Sequence, residues 1–426
     1  MRIVKPQRTA AQINKFKFKE EMQMKKILAL MMAVALTFTL AACSGTGSNT
    51  ETAADGTGTA EETTEGSTDA AASEDIVTTD NSNAQPYSGD LEPVKIGFIC
   101  WGYTDSLSQG YQRALDFAGE YCGFEVEYVA TTKYEEHVNY AENLIQAGCQ
   151  IIMTTKASTA LMDVCDQNQV YLAQWGSPID DPELADYLAQ SEYWVGCSTV
   201  DDYDAGYQCV EALYEQGCRN IVLIGTGAGN YCHDLRFSGM YDAVATHDDL
   251  NVLGEFRSSS LATEGAPALQ NFIALYPEMD GVVASGASNG TLEMVIQTLD
   301  TEGKIGDIKF ATLDIQDGCD TYLEEGSLSF IGGGQYLEAM FLAIDAVNVF
   351  DGAYPGNNQL DTTFIYLQNA EDYADYTTYI DGEGIYPYSA EELQSVTYRC
   401  NPDATFDDLY NMWNSYSMDY IKEKNS

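Results

Sequence analysis

The sequence predicts an α/β protein that contains two doubly wound parallel sheets. Ten short apolar runs recur along the chain, and segments of helical periodicity lie between them. The runs are continuously apolar, which is typical of parallel strands covered by helices on both faces. Strand and helix alternate roughly every 25 residues, as they do in doubly wound folds. Ten strands are too many for one such sheet in this chain, so we expect two.

Residues 1–42 are predicted to be an export signal with an upstream extension. Lys25 and Lys26 precede an uncharged apolar run from Ile27 to Ala42. A basic flank, a short apolar core and small residues at its end are typical of a cleaved signal sequence. The run is too short to cross a hydrocarbon layer of ~30 Å comfortably as a mature helix. A short membrane anchor is the alternative.

The segment Leu40–Cys43 (LAAC) resembles the lipobox of bacterial lipoproteins. In that motif the cysteine is acylated, for example by palmitate, and becomes the mature N-terminus. The resemblance implies lipidation of Cys43 and a location on the extracytoplasmic face of the cell membrane. ATP, NAD and the chromosome are not available there.

Residues 43–92 are predicted to form a disordered tether behind the lipidated cysteine. Between Ser44 and Asp90 the chain consists mainly of Thr, Ser, Gly, Ala, Glu and Asp. Such a segment buries too little apolar surface to offset its ordering entropy. A flexible tether would hold the folded body away from the bilayer. That body, from residue 93 onwards, is long enough for two domain cores.

The charge of the mature chain restricts its partners. Of the 20 basic and 66 acidic residues, 8 and 2 respectively precede Cys43, which leaves 12 basic and 64 acidic residues and a net charge of −52. This field repels nucleic-acid phosphates and anionic lipid head groups. Nucleic acid is therefore excluded as a partner, and we interpret the acids as solvated surface rather than as a metal store.

The ten cysteines other than Cys43 show no metal or redox pattern. Neither CxxC pairs nor Cys/His ligand spacings occur among them, and many fall within apolar helix or strand patterns. So many unpaired thiols on an exported protein suggest a Gram-positive anaerobic source. Disulfides stay possible, but the sequence does not assign them.

Catalysis has little support in the sequence. His137 and His247 fall in helical segments where we expect exposure. His233 adjoins Cys232, but neighbouring residues on a helix point apart and cannot form a dyad. No serine elbow, metal cluster or phosphate loop is present. We therefore predict no enzyme, no cofactor and no metal.

The predicted elements of the folded body follow one another in a regular order. The strands are Val94–Trp101, Phe124–Ala130, Gln150–Thr154, Val170–Trp175, Trp194–Ser198, Asn220–Gly225, Val252–Phe256, Gly281–Ser285, Lys309–Asp314 and Ser329–Gly332. The clearest helices are Tyr134–Ala147, Asn289–Leu299, Tyr336–Phe350 and Thr405–Lys422.

Three strand exits share a pattern of small residues followed by an amide side chain. These are Thr226–Asn230 (TGAGN), Ser285–Asn289 (SGASN) and Ile331–Gln335 (IGGGQ). Ligands of open α/β sheets bind at the carboxyl ends of the strands, and an amide can both donate and accept hydrogen bonds there. We therefore expect ligand contacts from these amides. Turn and N-cap roles are the alternative.

The order of these motifs resembles the periplasmic binding proteins of the ribose-binding type, which share their core with the effector domains of lactose-repressor-like regulators. The resemblance covers about residues 94–368 and rests on KIGFICWGYTDSLSQGYQRALDFAGEYCGFEVEYV, VNYAENLIQAGCQIIMTT, VGCSTVDDYDAGY, RNIVLIGTGAGNYCHDLRFSGM, DGVVASGASNGTLEMVIQTL, KFATLDIQDGCDTYLEEG and SFIGGGQYLEA. It implies two lobes, joined by three crossovers, that close on a small ligand. The first lobe would be residues 93–199 plus 334–357, the second 200–333 plus 358–368, and residues 369–426 a C-terminal tail packed on the lobes.

The resemblance also implies the residues that contact the ligand. Position by position, they are Trp101, Tyr103 and Asp105 in the first strand–helix loop, Thr155 and Lys156 after the third strand, Gln174 and Trp175 after the fourth, and Asn230, Arg236, Asn289 and Gln335. The family often has Asp where Gln174 stands, and the segment after Phe256 lacks the family's usual pattern. In the alternative interpretations the two tryptophans pack at the rim and Arg236 pairs with Asp234 or another acid. Asp314 would orient its turn rather than bind ligand.

A sugar matches the chemistry of these residues. Its C–H faces pack on indole rings, and its hydroxyls need paired donors and acceptors. The resemblance thus implies a monomeric solute-binding protein that supplies a monosaccharide or similar polyol to an ABC importer. A receptor that signals to a membrane kinase or chemoreceptor is one alternative, and a carrier of a nucleoside or quorum signal is another.

Overall fold

The computed structural model describes residues 84–382 and 384–425. The predictions for the signal sequence, for Cys43 and for all but the end of the tether lie outside these residues. Within the described ranges, every helix is too short or too polar to span a bilayer.

Six parallel strands form the first sheet. They are β1 (Val94–Cys100), β2 (Phe124–Ala130), β3 (Ile151–Thr154), β4 (Tyr171–Gln174), β5 (Trp194–Val200) and β11 (Asn358–Thr362), in the order β11-β5-β4-β3-β1-β2. The connecting helices are α1 (Ser106–Cys122), α2 (His137–Gln146), α3 (Thr159–Asn168) and α4 (Pro182–Leu188). The segment predicted as one helix over Tyr134–Ala147 begins with a 3₁₀ turn at Tyr134–Glu136.

The second sheet has six strands, of which the last is antiparallel to its neighbour. They are β6 (Asn220–Gly225), β7 (Asn251–Arg257), β8 (Gly281–Ala284), β9 (Lys309–Leu313), β10 (Phe330–Gly333) and β12 (Ile365–Leu367), in the order β12-β10-β9-β8-β6-β7. The connecting helices are α5 (Asp202–Glu215), α6 (Tyr231–Thr246), α7 (Leu261–Leu275), α8 (Thr291–Thr301) and α9 (Cys319–Glu325). Two doubly wound parallel sheets are thereby confirmed, and the ten predicted strands end within two residues of their expected limits.

The apolar runs form central strands because helices cover both of their faces. Every residue of β3 and β8 is buried, and β6 is exposed only in part at Asn220. The edge strand β2 is less covered, because only Phe124 is buried and its other residues are half-buried or exposed.

Three crossovers connect the two lobes. They run from β5 into α5 at Val200–Asp202, from β10 into α10 (Leu337–Phe350) and from β11 to β12. The predicted assignment of residues 358–362 to the second lobe is wrong, because β11 pairs with β5 throughout its length. Its sequence, NQLDT, buries only Leu360 and Thr362 and so has no continuous apolar run.

The C-terminal tail contacts both lobes. Helix α11 (Ala370–Tyr379) packs on α9 and β12 of the second lobe, α12 (Ala390–Ser395) packs on α1, and α13 (Phe406–Asn414) packs on β11 and α10. Helix α14 (Met418–Lys424) returns to α11. The side chain of Trp413 is fully buried, with its ring 4.9 Å from that of Phe341.

The helix predicted at Thr405–Lys422 is two helices in the structure. Thr405 caps the first in a capping box with Asp408, and Ser417 caps the second by accepting from the Tyr420 amide. Between them, Tyr416 stacks on Trp413 and donates its hydroxyl to the carbonyl of Gly334 at a distance of 2.9 Å. This contact with the second crossover requires the chain to turn, so one straight helix is not possible.

Candidate functional site

The polar residues at the carboxyl ends of the two sheets approach each other beside the crossovers. Glu338, in the first turn of α10 in the first lobe, is electrostatically coupled to Asp202 and Arg236 of the second lobe. Tyr231 of the second lobe is coupled in turn to Asp180 of the first, and burial together with this carboxylate raises the pKa of Tyr231. We call the space bounded by these strand ends the cleft.

An aromatic cluster lies at the strand ends of the first lobe. Trp175 directly follows β4 and is only 1% exposed. Its ring stacks on Phe98 with centroids 4.7 Å apart, lies 4.7 Å from Tyr111 and lies 5.5 Å from Trp101. Its indole Nε1 has no hydrogen-bond partner within the described residues. The cluster therefore combines buried rings and the half-buried ring of Trp101 with one unpaired donor, Trp175 Nε1.

Several predicted ligand residues have their polar atoms occupied by the protein itself. The Asp105 carboxylate caps α1 through the Ser108 amide at 2.9 Å and accepts from Trp101 Nε1 at 3.0 Å. The Tyr103 hydroxyl lies 3.1 and 3.2 Å from the carbonyl oxygens of Phe98 and Val129. These side chains hold the first strand–helix loop in place.

The side chain of Gln174 likewise holds in place the loops that follow β3 and β4. Its Oε1 accepts from the Ala157 amide at 2.6 Å, and its Nε2 donates to the carbonyls of Ser177 and Pro178 at 2.8 and 3.1 Å. In the turn after β3, Thr155 is half-buried and Lys156 is exposed. Lys156 Nζ is 3.9 Å from Asp180. Ligand contact by these residues stays a prediction.

Gln335 and Glu338 carry unpaired buried atoms next to the second crossover. Gln335 Nε2 donates to Asp314 Oδ1 at 3.0 Å, but Gln335 Oε1 has no partner within the described chain. Glu338 Oε1 accepts from the Tyr111 hydroxyl at 2.8 Å, and Oε2 likewise has no partner there. Sequence reasoning missed Glu338, because its contact with Tyr111 joins residues 227 positions apart.

Arg236 is buried between three acceptors. Its Nε donates to Asp202 Oδ1 at 2.8 Å, and one terminal nitrogen donates to the Ser285 carbonyl at 2.7 Å and lies 3.8 Å from Asp314 Oδ2. Burial alone would lower the pKa of Arg236, but the two carboxylates raise it, so the guanidinium stays charged. The alternative partner Asp234 pairs with Arg257 instead.

The three histidines occupy positions that the sequence did not indicate. His137 is buried rather than exposed, with Nδ1 2.7 Å from Thr154 Oγ1, because the start of α2 packs over the end of β3. His247 is half-buried against Tyr214 and Glu211. His233 Nδ1 lies 2.8 Å from Ser285 Oγ, and burial with nearby arginines lowers the pKa of His233 to about 3, which keeps the ring neutral.

A cavity of about 270 Å³ opens on the second-lobe side of the cleft. Its lining is dominated by small polar side chains and comprises Thr226, Ser258, Ser259, Ser260, Leu261, Ala262, Thr263, Ser288, Asn289 and Thr291. Asn289 has a left-handed backbone with a φ of 58°, which places it on the tight turn before α8. In the sequence, the serine run after β7 marks this part of the cavity lining, but it does not by itself identify a ligand contact.

Asn230 lies at the start of α6, where its Oδ1 accepts from Cys232 Sγ at 3.0 Å. All ten cysteines between Cys100 and Cys400 are free, and eight of them are buried. Burial raises the pKa of Cys100 to about 12, so its thiol is not activated. Within the part of the chain that the structure describes, no cluster of His, Cys, Asp or Glu is suited to a metal ion.

Comparison with known proteins identifies the fold. The model of the periplasmic binding protein domain matches residues 96–350, more than half of the chain. A periplasmic sugar-binding protein from Pseudomonas fluorescens superposes with a TM-score of 0.60 at 14% identity, over 77% of this chain and 99% of that chain. No curated protein matches the sequence.

Two further solved structures share the fold with ligands bound. An ABC transporter solute-binding protein from Agrobacterium vitis, bound with alpha-D-tagatopyranose, has a TM-score of 0.57 at 15% identity, over 67% of this chain and 97% of that chain. One from Bacillus halodurans, with bound myo-inositol, has a TM-score of 0.56 at 17% identity, over 68% of this chain and all of that chain. The two wound lobes and the family match together show that the chain belongs to the periplasmic binding protein family, and that it is a binding protein rather than an enzyme.

Proposed function

We propose that this protein binds a monosaccharide or similar polyol between its lobes and supplies it to an ABC importer. The observation that carries the proposal is the combination, at the strand ends beside the crossovers, of an aromatic cluster that includes Trp101 and Trp175 with three buried, unpaired polar atoms, on Trp175, Gln335 and Glu338. A sugar offers C–H faces to the indole and hydroxyls to the polar atoms. The sugar and inositol complexes of the structural relatives support this ligand class.

Binding would favour one arrangement of the lobes. A ligand that contacts Trp175 on the first lobe and Asn289 on the second interacts fully only when both surfaces face it. The permease would then recognise surface features of the liganded arrangement. Signalling to a membrane kinase or chemoreceptor would use the same closure with a different partner.

A thermal-shift screen of sugars, polyols, nucleosides and amino acids tests the ligand class. A ligand present at 100 times its dissociation constant is expected to stabilise the folded state by about 2.7 kcal/mol. We expect stabilisation by one or a few monosaccharides or polyols. Stabilisation by nucleosides or amino acids alone would contradict the proposal.

Asn289→Ala is expected to weaken binding of the selected sugar by more than tenfold. Asn289 is exposed on the second-lobe cavity, and its amide makes no hydrogen bond within the described residues, so its loss removes ligand contacts without breaking internal ones. Titration calorimetry measures the effect. Asn168→Ala, on the exposed end of α3, is the matched control and should bind like the wild type. Equal affinity of Asn289→Ala and the control would remove Asn289 from the site.

We further propose that Cys43 carries a lipid and holds the protein on the extracytoplasmic face of the cell membrane. The basic flank, the uncharged run and the LAAC segment support this proposal. Cys43→Ser is expected to release the protein into the medium or to leave an uncleaved precursor. Labelling with an alkyne palmitate and mass spectrometry of the N-terminal peptide measure both outcomes. Normal acylation of the variant would show that Cys43 is not the lipidated residue.

A further inference from the structure

We propose that Glu338 is a specificity-determining residue, whose neutral carboxyl group donates a hydrogen bond to a ligand hydroxyl and thereby restricts the site to uncharged polyols. This inference rests on the proposed function and names a contact within the same cleft. Nothing in the family pattern described above singles out Glu338.

The first observation is that Glu338 is buried with one oxygen unpaired. The residue is 1% exposed, Oε1 accepts from the Tyr111 hydroxyl at 2.8 Å, and Oε2 has no partner within the described residues. A buried polar atom without a partner costs free energy and calls for an explanation in a native structure. A ligand hydroxyl would supply the missing partner.

The second observation is that two further unpaired atoms, Trp175 Nε1 and Gln335 Oε1, lie on residues near Glu338. The Tyr111 ring that holds Glu338 also lies 4.7 Å from the Trp175 ring, and the Cβ position of Gly176 is 3.9 Å from Glu338 Oε1. The Glu338 amide donates to the Gln335 carbonyl at 3.0 Å. Trp175, Glu338 and Gln335 are therefore linked through Tyr111 and through the turn that begins α10, and we call these three residues the hinge cluster.

The hydrogen-bonding capacity of the hinge cluster matches that of one hydroxyl group. A hydroxyl accepts two hydrogen bonds and donates one. It can accept from Trp175 Nε1 and from a protonated Glu338, and donate to Gln335 Oε1. An ionised Glu338 would leave the cluster with two acceptors and one donor, so one hydroxyl could no longer satisfy all three atoms.

The charges around Glu338 favour its protonated form. The titratable groups that face it are Tyr111 from α1, Cys197 from β5, Asp202 from α5 and Arg236 from α6, with Asp314 next to Gln335. The one cation among these groups, Arg236, is already engaged by two aspartates. Burial, reinforced by Asp202, raises the pKa of Glu338 to about 8, so the carboxyl group is mostly neutral at pH 7.

Anionic ligands are excluded by the same arrangement. A carboxylate or phosphate placed at the hinge cluster would be repelled by the negative charges of Asp202 and Asp314. Glu338 offers no positive charge in return, because a carboxyl group is either neutral or negative. A neutral polyol meets no such repulsion. We therefore expect the site to bind sugars and to reject sugar acids and sugar phosphates of the same ring structure.

The test is the pH dependence of sugar affinity, measured by titration calorimetry between pH 5.5 and 9 with the sugar that gives the largest thermal shift. The dissociation constant of the wild type should be constant below about pH 7 and rise up to tenfold per pH unit above about pH 8, because the binding form loses its proton. Glu338→Gln keeps a donor and an acceptor but cannot ionise. It should bind with a dissociation constant that does not rise over this range.

Asp345→Asn is the matched control. Asp345 lies on the same helix, is equally buried, and has a pKa raised by burial to about 7, but it bonds to Asn358 away from the cleft. This variant should keep the wild-type pH profile, and circular dichroism at each pH checks folding. A flat wild-type profile, or an unaltered profile in Glu338→Gln, overturns the role of Glu338. If no sugar binds at any pH, the proposed function itself fails.

Discussion

Arg236→Ala is expected to lower the free energy of unfolding by about 3–5 kcal/mol and to abolish sugar binding. The guanidinium is buried and donates both to Asp202 and to the Ser285 carbonyl. Its removal leaves Asp202 and Asp314 as buried charges without a cation, and destroys the second-lobe wall of the cleft. The sequence alone would suggest a loss of affinity with an unchanged fold, whereas the burial of Arg236 adds the stability cost.

Chemical denaturation measures the stability effect, and a double-mutant cycle with Asp202→Asn isolates the pair. The double variant should recover part of the loss, because it removes the unpaired carboxylate as well. Lys133→Ala is the control, since its ion pair with Glu136 is exposed to solvent and is expected to contribute little to stability. Equal denaturation midpoints for Arg236→Ala and Lys133→Ala would contradict the network described here.

Arg399→Ala is expected to loosen the C-terminal tail and to cost about 3–5 kcal/mol. The side chain is 1% exposed, makes a two-pronged bond to Asp351 at 2.8 and 2.9 Å, and donates to the Gly123 carbonyl at 2.6 Å. It thus joins the tail to the end of α10 and to the turn between α1 and β2 in the first lobe. Arg399→Lys keeps the charge but not the planar fork, so it should be intermediate.

Hydrogen exchange measured by mass spectrometry locates this effect. Amides of α12 and α13 should exchange faster in Arg399→Ala, while those of the central strands β3 and β8 should be less affected. Lys422→Ala is the control within the tail, because its pair with Asp375 is partly exposed to solvent, unlike the buried pair of Arg399. If Arg399→Ala had the wild-type denaturation midpoint and an unchanged rate of hydrogen exchange in the tail, Arg399 would not anchor the tail.

The sequence predicted the sheets well because parallel strands covered on both faces need long apolar runs. The sequence analysis missed β11 because this strand lies at a sheet edge and buries only two side chains, so its sequence, NQLDT, contains no continuous apolar run. It merged the last two helices because the turn between them is set by the contact of Tyr416 with Gly334, which lies 82 residues earlier. Local patterns do not encode such contacts.

The site was predictable in position but not in detail. Strand ends directed attention to Asn289, which lines the second-lobe cavity, and to Trp175 and Gln335, which belong to the hinge cluster. The sequence does not show that the side-chain amide of Gln174 forms hydrogen bonds with the loop backbone, because these bonds depend on how the adjacent turns fold. Glu338 was missed because an acid in the first turn of a helix is an ordinary feature of exposed helices, and only tertiary burial distinguishes it.

A crystal structure with the sugar that stabilises the protein most tests the central claim most directly. We expect the sugar ring against Trp175 between the lobes, contacting Asn289 on one side, with a hydroxyl that fills the hydrogen bonds of the hinge cluster. A sugar bound to the outer surface or to one lobe alone, with those buried atoms still unpaired, would contradict the account.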